Sequence, residues 1–162
     1  MGRAGYLAAR GLAGLIKWGV QSYQAHAENK KWTKESARYG IPDIDSLSGA
    51  DFEKFLGGLF RRAGYAVEIK GQSGDFGVDL ILGRGGRRIA VQAKRYTKSV
   101  NLRAVQEVAA GMQYYGCTEA WVVTNSHFTR SAQKLAGRTN VNLVDRPALA
   151  DILRSVNRNQ DV

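Results

Sequence analysis

The stretch Gly74–Tyr96, GDFGVDLILGRGGRRIAVQAKRY, sets an aspartate in one apolar run and a glutamine and a lysine in the next, with a glycine-rich turn between them. Two runs of alternating, β-branched-rich residues joined by a short Gly turn predict a hairpin. If Gly85 and Gly86 are the central turn residues, Asp79 lies directly opposite Gln92. Sliding the turn by one residue changes the partner but keeps the face. Side chains alternate across a strand, so Asp79 and Ile81 share a face with Ala90, Gln92 and Lys94, while Val78, Leu80, Leu82, Ile89, Val91 and Ala93 share the other.

One face is then wholly apolar, and on the other a carboxylate, an amide and an ammonium meet, with facing Cβ atoms about 4.5–5.5 Å apart. At that separation the Asp79 carboxylate and the Gln92 carbonyl oxygen reach one hard cation, which takes oxygen ligands and keeps several waters. Lys94, two residues on, sits beside the ion, where it orients or helps to deprotonate a water and offsets phosphate charge. A buried Asp79–Lys94 ion pair with Gln92 as hydrogen-bonding neighbour fits the same spacing.

Around the hairpin the pattern is α/β. Ser48 followed by Asp51 marks a helix start, and Phe52, Phe55, Leu56, Leu59, Phe60 and Ala63 form its apolar face up to Gly64. YAVEIKG is a short strand, VDLILG and RRIAVQAKRY are the hairpin strands, and Leu102–Tyr115 is a helix. AWVVT is a buried strand, a helix starts at Thr129, VNLVD is a strand, and Pro147 opens a closing helix. The order α-β-β-β-α-β-α-β-α predicts helices on both sides of a mixed sheet, antiparallel at its front and parallel through the later crossovers.

Residues 4–26 carry Leu12, Leu15, Ile16, Val20 and Tyr23 at helical spacing, which predicts an amphipathic helix. Its partner is left open between its own domain, a second copy of the chain in a homodimer, and a membrane surface. The polar stretch AENKKWTKESARYGIPDIDSL reads as a linker or an extended arm. The expected organisation is therefore a basic helix and linker over 1–47, a domain over 48–156 and a tail over 157–162.

The 162-residue chain has room for one full domain and an appendage. Its net charge of +10 points to an anionic partner, nucleic acid first and an acidic membrane second. A single cysteine, Cys117, makes no internal disulfide, and no Cys/His cluster for zinc exists. Both features suit the cytoplasm, the expected location, and Lys17 cuts short any apolar core of a signal peptide.

The segment from Ser48 through Tyr96, with AVQEVAAGMQYYG and AWVVTNSHFTRSA after it, closely resembles the catalytic domain of Mrr-type restriction endonucleases, a branch of the PD-(D/E)xK nucleases. The resemblance runs over roughly Ser48 to Leu153 in four ordered blocks. It implies a restriction-endonuclease-like three-layer α/β/α core and Mg²⁺-dependent hydrolysis of DNA phosphodiesters, with Mn²⁺ as a substitute and no small-molecule cofactor. The family's acidic metal ligand falls on Asp79, its Q-x-K on Gln92 and Lys94, and its first-helix glutamate on Glu53. A neutral glutamine in place of the superfamily's carboxylate implies a more weakly held ion, completed when the DNA phosphate arrives.

Asp75 and Gln106 are candidate supporting residues, with Gln106 read as nearer the site than Glu107, and His127 reads as a loop residue. Lys70, Arg84, Arg87, Arg88, Arg95 and Lys98 are candidates for gripping the DNA backbone. The expected function is a DNA endonuclease acting in restriction or DNA processing. The alternatives are a DNA-binding protein of the same fold with weak or no catalysis and a junction-resolving nuclease. The first 47 residues are too few for the DNA-reading domain usually attached to Mrr-type enzymes, so no sequence or methylation preference follows.

Overall fold

A computed structural model describes residues 20–70 and 76–159. The chain runs through α1 (residues 20–35), α2 (Ile41–Ile44), α3 (Gly49–Arg62), β1 (Ala66–Ile69), β2 (Leu80–Arg84), β3 (Arg87–Lys94), α4 (Leu102–Tyr114), β4 (Glu119–Thr124), α5 (Arg130–Ala136), β5 (Val141–Val144) and α6 (Arg146–Arg158). The five strands form one sheet in sequence order. β1, β2 and β3 are antiparallel neighbours, and β3, β4 and β5 are parallel. The expected mixed sheet is thus the one observed.

The hairpin register follows from its turn. Gly85 and Gly86 both have positive φ, +56° and +78°, the backbone a two-residue type I′ turn needs. They set Leu80 against Val91 and Leu82 against Ile89. Regular pairing stops there. Asp79 N–H also donates to Val91 O at 2.8 Å while its carbonyl accepts from Lys70 N. Asp79 and Leu80 therefore both stand against Val91 in a bulge, and Asp79 is not directly opposite Gln92 as an unbroken hairpin predicts.

Two apolar layers hold helices against the sheet. Leu80, Leu82, Ile89, Val91 and Val123 pack against Phe52, Phe55, Leu56, Leu59 and Phe60 of α3 and Leu149, Leu153 and Val156 of α6. On the opposite face Ile81, Ala90, Ala120 and Val122 pack against Ala104, Val105 and Val108 of α4 and Ala132 and Ala136 of α5. Each fully buried Leu or Phe contributes about 1.5–3 kcal/mol relative to exposure, so both layers are needed to hold so small a sheet.

Val78 departs from the expected alternation, since it lies in the α4 layer with Ile81 and Ala90 rather than with Leu80. The β2–β3 ladder begins at Leu80, and the bulge at Asp79, just after the turn at Phe76 (φ +52°) and Gly77 (φ +72°), breaks the period-two alternation before Val78.

The segment expected to be a linker is also different. α1 continues past Ala27 to residue 35, supported by Thr33 Oγ1 donating to Asn29 O at 2.7 Å and by a Glu28–Lys54 ion pair of 2.7 Å. Trp32, Ile44 and Leu47 are buried in the α3–α6 layer. Trp32 lies so close to α3 that a Cβ on Gly58 would stand 2.3 Å from the Trp32 carbonyl oxygen. The part of α1 that belongs to the expected amphipathic helix is exposed at Val20 (50%) and Tyr23 (75%), and residues 1–19 of that helix lie outside the described residues. Among the described residues no helix is long and apolar enough to cross a membrane.

Candidate functional site

The site forms where β2 peels away from β3. An antiparallel ladder would give Ala93 N–H a main-chain acceptor on the chain preceding β2, but that chain turns away at Gly77. Asp79 Oδ2 takes the acceptor's place at 2.7 Å from Ala93 N. The carboxylate thus does the work of a backbone carbonyl and is fixed against β3.

Gln92, on the α4 side of β3, is 2% exposed. Its Nε2 donates to Glu107 Oε2 at 2.9 Å. Its Oε1 is buried with no donor among the described residues, a condition that ordinarily costs roughly 1–3 kcal/mol. Lys94 Nζ lies 3.8 Å from the same Glu107 oxygen, and Arg103 Nε donates to Glu107 Oε1 at 2.8 Å. Burial pushes the Glu107 carboxyl up, but the hydrogen bonds from Gln92 and Arg103 and the charges of Lys94 and Arg103 outweigh it and hold it below the usual glutamate value.

The main chain of Lys94 is held from β4. Thr124 donates through Oγ1 to the Lys94 carbonyl oxygen at 2.6 Å. A cavity of about 400 Å³ opens beside it, lined by Lys94, Tyr96, Asn101, Arg103 and Glu107 among others. A second cavity of about 370 Å³ shares Tyr96 and reaches His127 and Arg146. Both lie at the carboxyl end of the parallel strands, where α/β sheets bind ligands. Asp45 ties this end together: Arg146 donates to its two carboxylate oxygens at 2.7 and 2.8 Å, and Asn125 Nδ2 donates to it at 2.9 Å.

The sequence candidates distribute unevenly over this geometry. Gln92 and Lys94 share one face of β3, and Asp79 is bonded to the main chain of Ala93 between them. Glu107 joins them, whereas Gln106, one residue earlier and about 100° round the helix, is exposed. Glu53 lies half-buried in α3, across the sheet from α4. Asp75 lies outside the described residues. His127 is an exposed loop residue whose main-chain carbonyl accepts from Val100 N.

Of the basic candidates, Lys70 is next to the site, since its N–H donates to Asp79 O at 2.7 Å. Its ammonium pairs with Glu68 over the Tyr115 ring. Arg95 and the exposed Lys98 follow Lys94, and Arg95 donates to Asp45 O. Arg84, Arg87 and Arg88 sit at the other end of the hairpin. A rise of about 3.3 Å per residue puts Arg87 roughly 23 Å from Lys94. There Arg87 pairs with Glu119 and Arg84 covers the Tyr65 ring.

Asp79 and Gln92 fit a divalent cation in donor chemistry, since both offer oxygen, and among the described residues Gln92 Oε1 is a buried acceptor without a donor. Comparison with known proteins gives this arrangement a family. The profile of the Mrr catalytic domain, described as restriction endonuclease, matches residues 44–153. The chain belongs to the Mrr-type restriction-endonuclease catalytic-domain family.

One solved structure with a TM-score above 0.5 shares the fold. The DNA modification-dependent restriction endonuclease AspBHI superposes with a TM-score of 0.57 at 18% identity, covering 83% of this chain and 39% of AspBHI. The MspJI restriction endonuclease in complex with a 27-mer oligonucleotide gives a TM-score of 0.46 at 22% identity, covering 88% of this chain and 32% of MspJI. A protein of unknown function gives 0.49 at 21% identity, covering 56% of this chain and 54% of that one. The chain thus spans from about a third to a little over half the length of these three. No curated protein matches it. The Mrr-type profile starts at 44, so it takes in Asp45 and Leu47 but not Trp32, which packs on the domain from outside the match.

Proposed function

We propose that this chain is the catalytic part of a divalent-metal-dependent DNA endonuclease that hydrolyses phosphodiester bonds in restriction or DNA processing. The observation that carries the reading is the meeting of Gln92 and Lys94 on the Glu107 carboxylate, beside the Asp79 carboxylate bonded to Ala93 N, with Gln92 Oε1 buried and without a donor among the described residues. Asp79 and Gln92 would hold Mg²⁺ or, in its place, Mn²⁺. When bound, such an ion neutralises phosphate charge and lowers the pKa of a coordinated water.

The chain's own groups account for the rest. Lys94, at the mouth of the 400 Å³ cavity, orients the attacking water and places a positive charge against the phosphate oxygens. Arg103 lines that cavity with Lys94, Arg95 and Lys98 follow Lys94 in the chain, and Lys70 lies on the Asp79 side, so the phosphate backbone would have cationic partners on both flanks. The hairpin arginines, roughly 23 Å away along β3, would contact a more distant stretch of DNA.

A second reading has its own support. Among the described residues no three His, Cys, Asp or Glu side chains converge as a metal site, so a cation depends on DNA and water for much of its shell. That favours a DNA-binding protein of weak catalysis over one that is loaded beforehand.

Incubating supercoiled plasmid and branched DNA with the full chain in Mg²⁺, Mn²⁺ or EDTA separates these readings. Nicking in either metal and none in EDTA supports the endonuclease. Tight binding with no cleavage of either substrate supports the second reading, and cleavage confined to branched DNA indicates a junction-resolving nuclease.

A further inference from the structure

The two ends of a primary amide have nearly the same shape, so a buried glutamine has two orientations, related by a half-turn, and only one offers a metal ion an oxygen. In this domain something must choose between them, because Gln92 stands where most of the superfamily has a carboxylate whose two oxygens are equivalent.

We propose that Glu107 makes the choice: it holds the Gln92 NH₂ so that Oε1 faces the cation, and it returns to the centre the negative charge that glutamine lacks. The proposal deepens the endonuclease reading and rests on it. Glu107 Oε2 is 2.9 Å from Gln92 Nε2. An ionised carboxylate has no proton to donate, so reversing the amide would set two oxygens against each other at that distance. The reversed orientation is disfavoured, because both Glu107 oxygens already face the cationic donors Arg103 and Lys94 and so meet the amide as acceptors.

The enclosure around the pair is built for it. A Cβ added at Gly77 would stand 2.7 Å from Glu107 Cβ and 3.0 Å from Gln92 Nε2, so the turn before Asp79 closes directly over the amide and the carboxylate. Gly111, one turn further along α4, does the same for Phe76 and Val78: a Cβ there would meet the Phe76 carbonyl oxygen at 2.7 Å. The two glycines let α4 and the turn press together, and Glu107 lies between them. Gln92 Oε1, the atom left over, is the buried acceptor without a donor. Glu107 is thus a positioning residue, acting through Gln92.

Titration of the full chain with Mn²⁺ alone, followed by calorimetry, tests this without any turnover. Glu107→Gln keeps the shape but offers Gln92 either a donor or an acceptor, so the orientation is lost. Mn²⁺ affinity should fall by about 10–100-fold, the usual effect of losing a partner of a metal ligand. Adding Gln92→Glu to Glu107→Gln should recover most of it, since a carboxylate needs no orienting. If the single variant does not fold, the double variant keeps one amide–carboxylate pair and is compared directly with the native chain. Recovery to within a few-fold supports the proposal and lost binding overturns it.

Unchanged Mn²⁺ affinity in Glu107→Gln, with binding weakened in Asp79→Asn, would leave the centre standing and reduce Glu107 to a partner of Arg103. Unchanged affinity in Asp79→Asn as well would remove the centre itself, and this proposal with it.

Discussion

The Asp79 carboxylate accepts the main-chain N–H of Ala93 at 2.7 Å, so the residue proposed to hold the metal also completes the sheet at the point where β2 ends. Structure and chemistry are therefore coupled at this position, and substitutions there separate them.

Asp79→Asn keeps an oxygen that accepts from Ala93, whereas Asp79→Ala leaves that N–H without its acceptor. The alanine variant should lose roughly 1–3 kcal/mol of stability and the asparagine variant clearly less. Urea unfolding of the two side by side checks this. Equal losses would mean that the hydrogen bond contributes little.

Lys94 is expected to behave in the opposite way. Its side chain is partly exposed and its contact with Glu107 is a 3.8 Å ion pair, an interaction worth about 0–1 kcal/mol in such a setting. Lys94→Ala should therefore unfold nearly like the native chain, yet cleave DNA on the order of 10²–10³ times more slowly if the ammonium acts on the reacting phosphate. A single-turnover rate together with a melting curve decides the matter.

Docking of α1 on the domain is tested at Gly58. Alanine there gains about 1 kcal/mol of helix propensity, but its Cβ would fall 2.3 Å from the Trp32 carbonyl oxygen, a backbone atom that cannot rotate away. The clash should prevail, at a net loss of roughly 1–3 kcal/mol, and limited proteolysis should then cut within residues 20–47. Resistance to cleavage together with raised stability would contradict this packing.

Acid should loosen the carboxyl end of the sheet through Asp45. The hydrogen bond from Arg146 is the main cause that holds its carboxyl below the usual aspartate value, aided by Asn125 and by the charges of Arg146 and Arg95 and opposed by burial. A carboxyl with a lower pKa folded than unfolded binds fewer protons folded, so stability rises with pH over that interval. The contribution is complete above the unfolded value, near 4, and is lost as pH falls through the lower folded one. Asp45→Asn should flatten that part of the stability–pH curve, read by thermal melts from pH 6 downward in about half-unit steps.

Much of this centre can be read in the sequence because a two-residue glycine turn leaves little freedom of register. Gly85 and Gly86 set Leu80 against Val91, and alternation puts Gln92 and Lys94 on the face of Ile81 and Ala90. Alternation fails before Leu80 because the chain bulges at Asp79, which a run of apolar letters does not reveal. Glu107 carries a signal that is easy to overlook. Ala104, Val108 and Gly111 form a buried stripe at i, i+4 and i+7, and Glu107 falls on it at i+3, one step round from the exposed Gln106.

The polar stretch 28–47 hides its packing for a different reason. Besides Ser36, only Trp32, Ile44 and Leu47 are buried among many charged neighbours, too sparse a pattern to outweigh the composition. What α3 offers them, a glycine at position 58, becomes visible only once the two helices are in contact.

The most direct test of the central claim is the rate at which Asp79→Asn nicks supercoiled plasmid in Mg²⁺, measured beside the native chain at matched folded fraction. A centre built on Asp79, Gln92 and Lys94 predicts metal-dependent nicking by the native chain and a loss of at least about 10²-fold in the variant. Native-like nicking by a folded Asp79→Asn protein would contradict it.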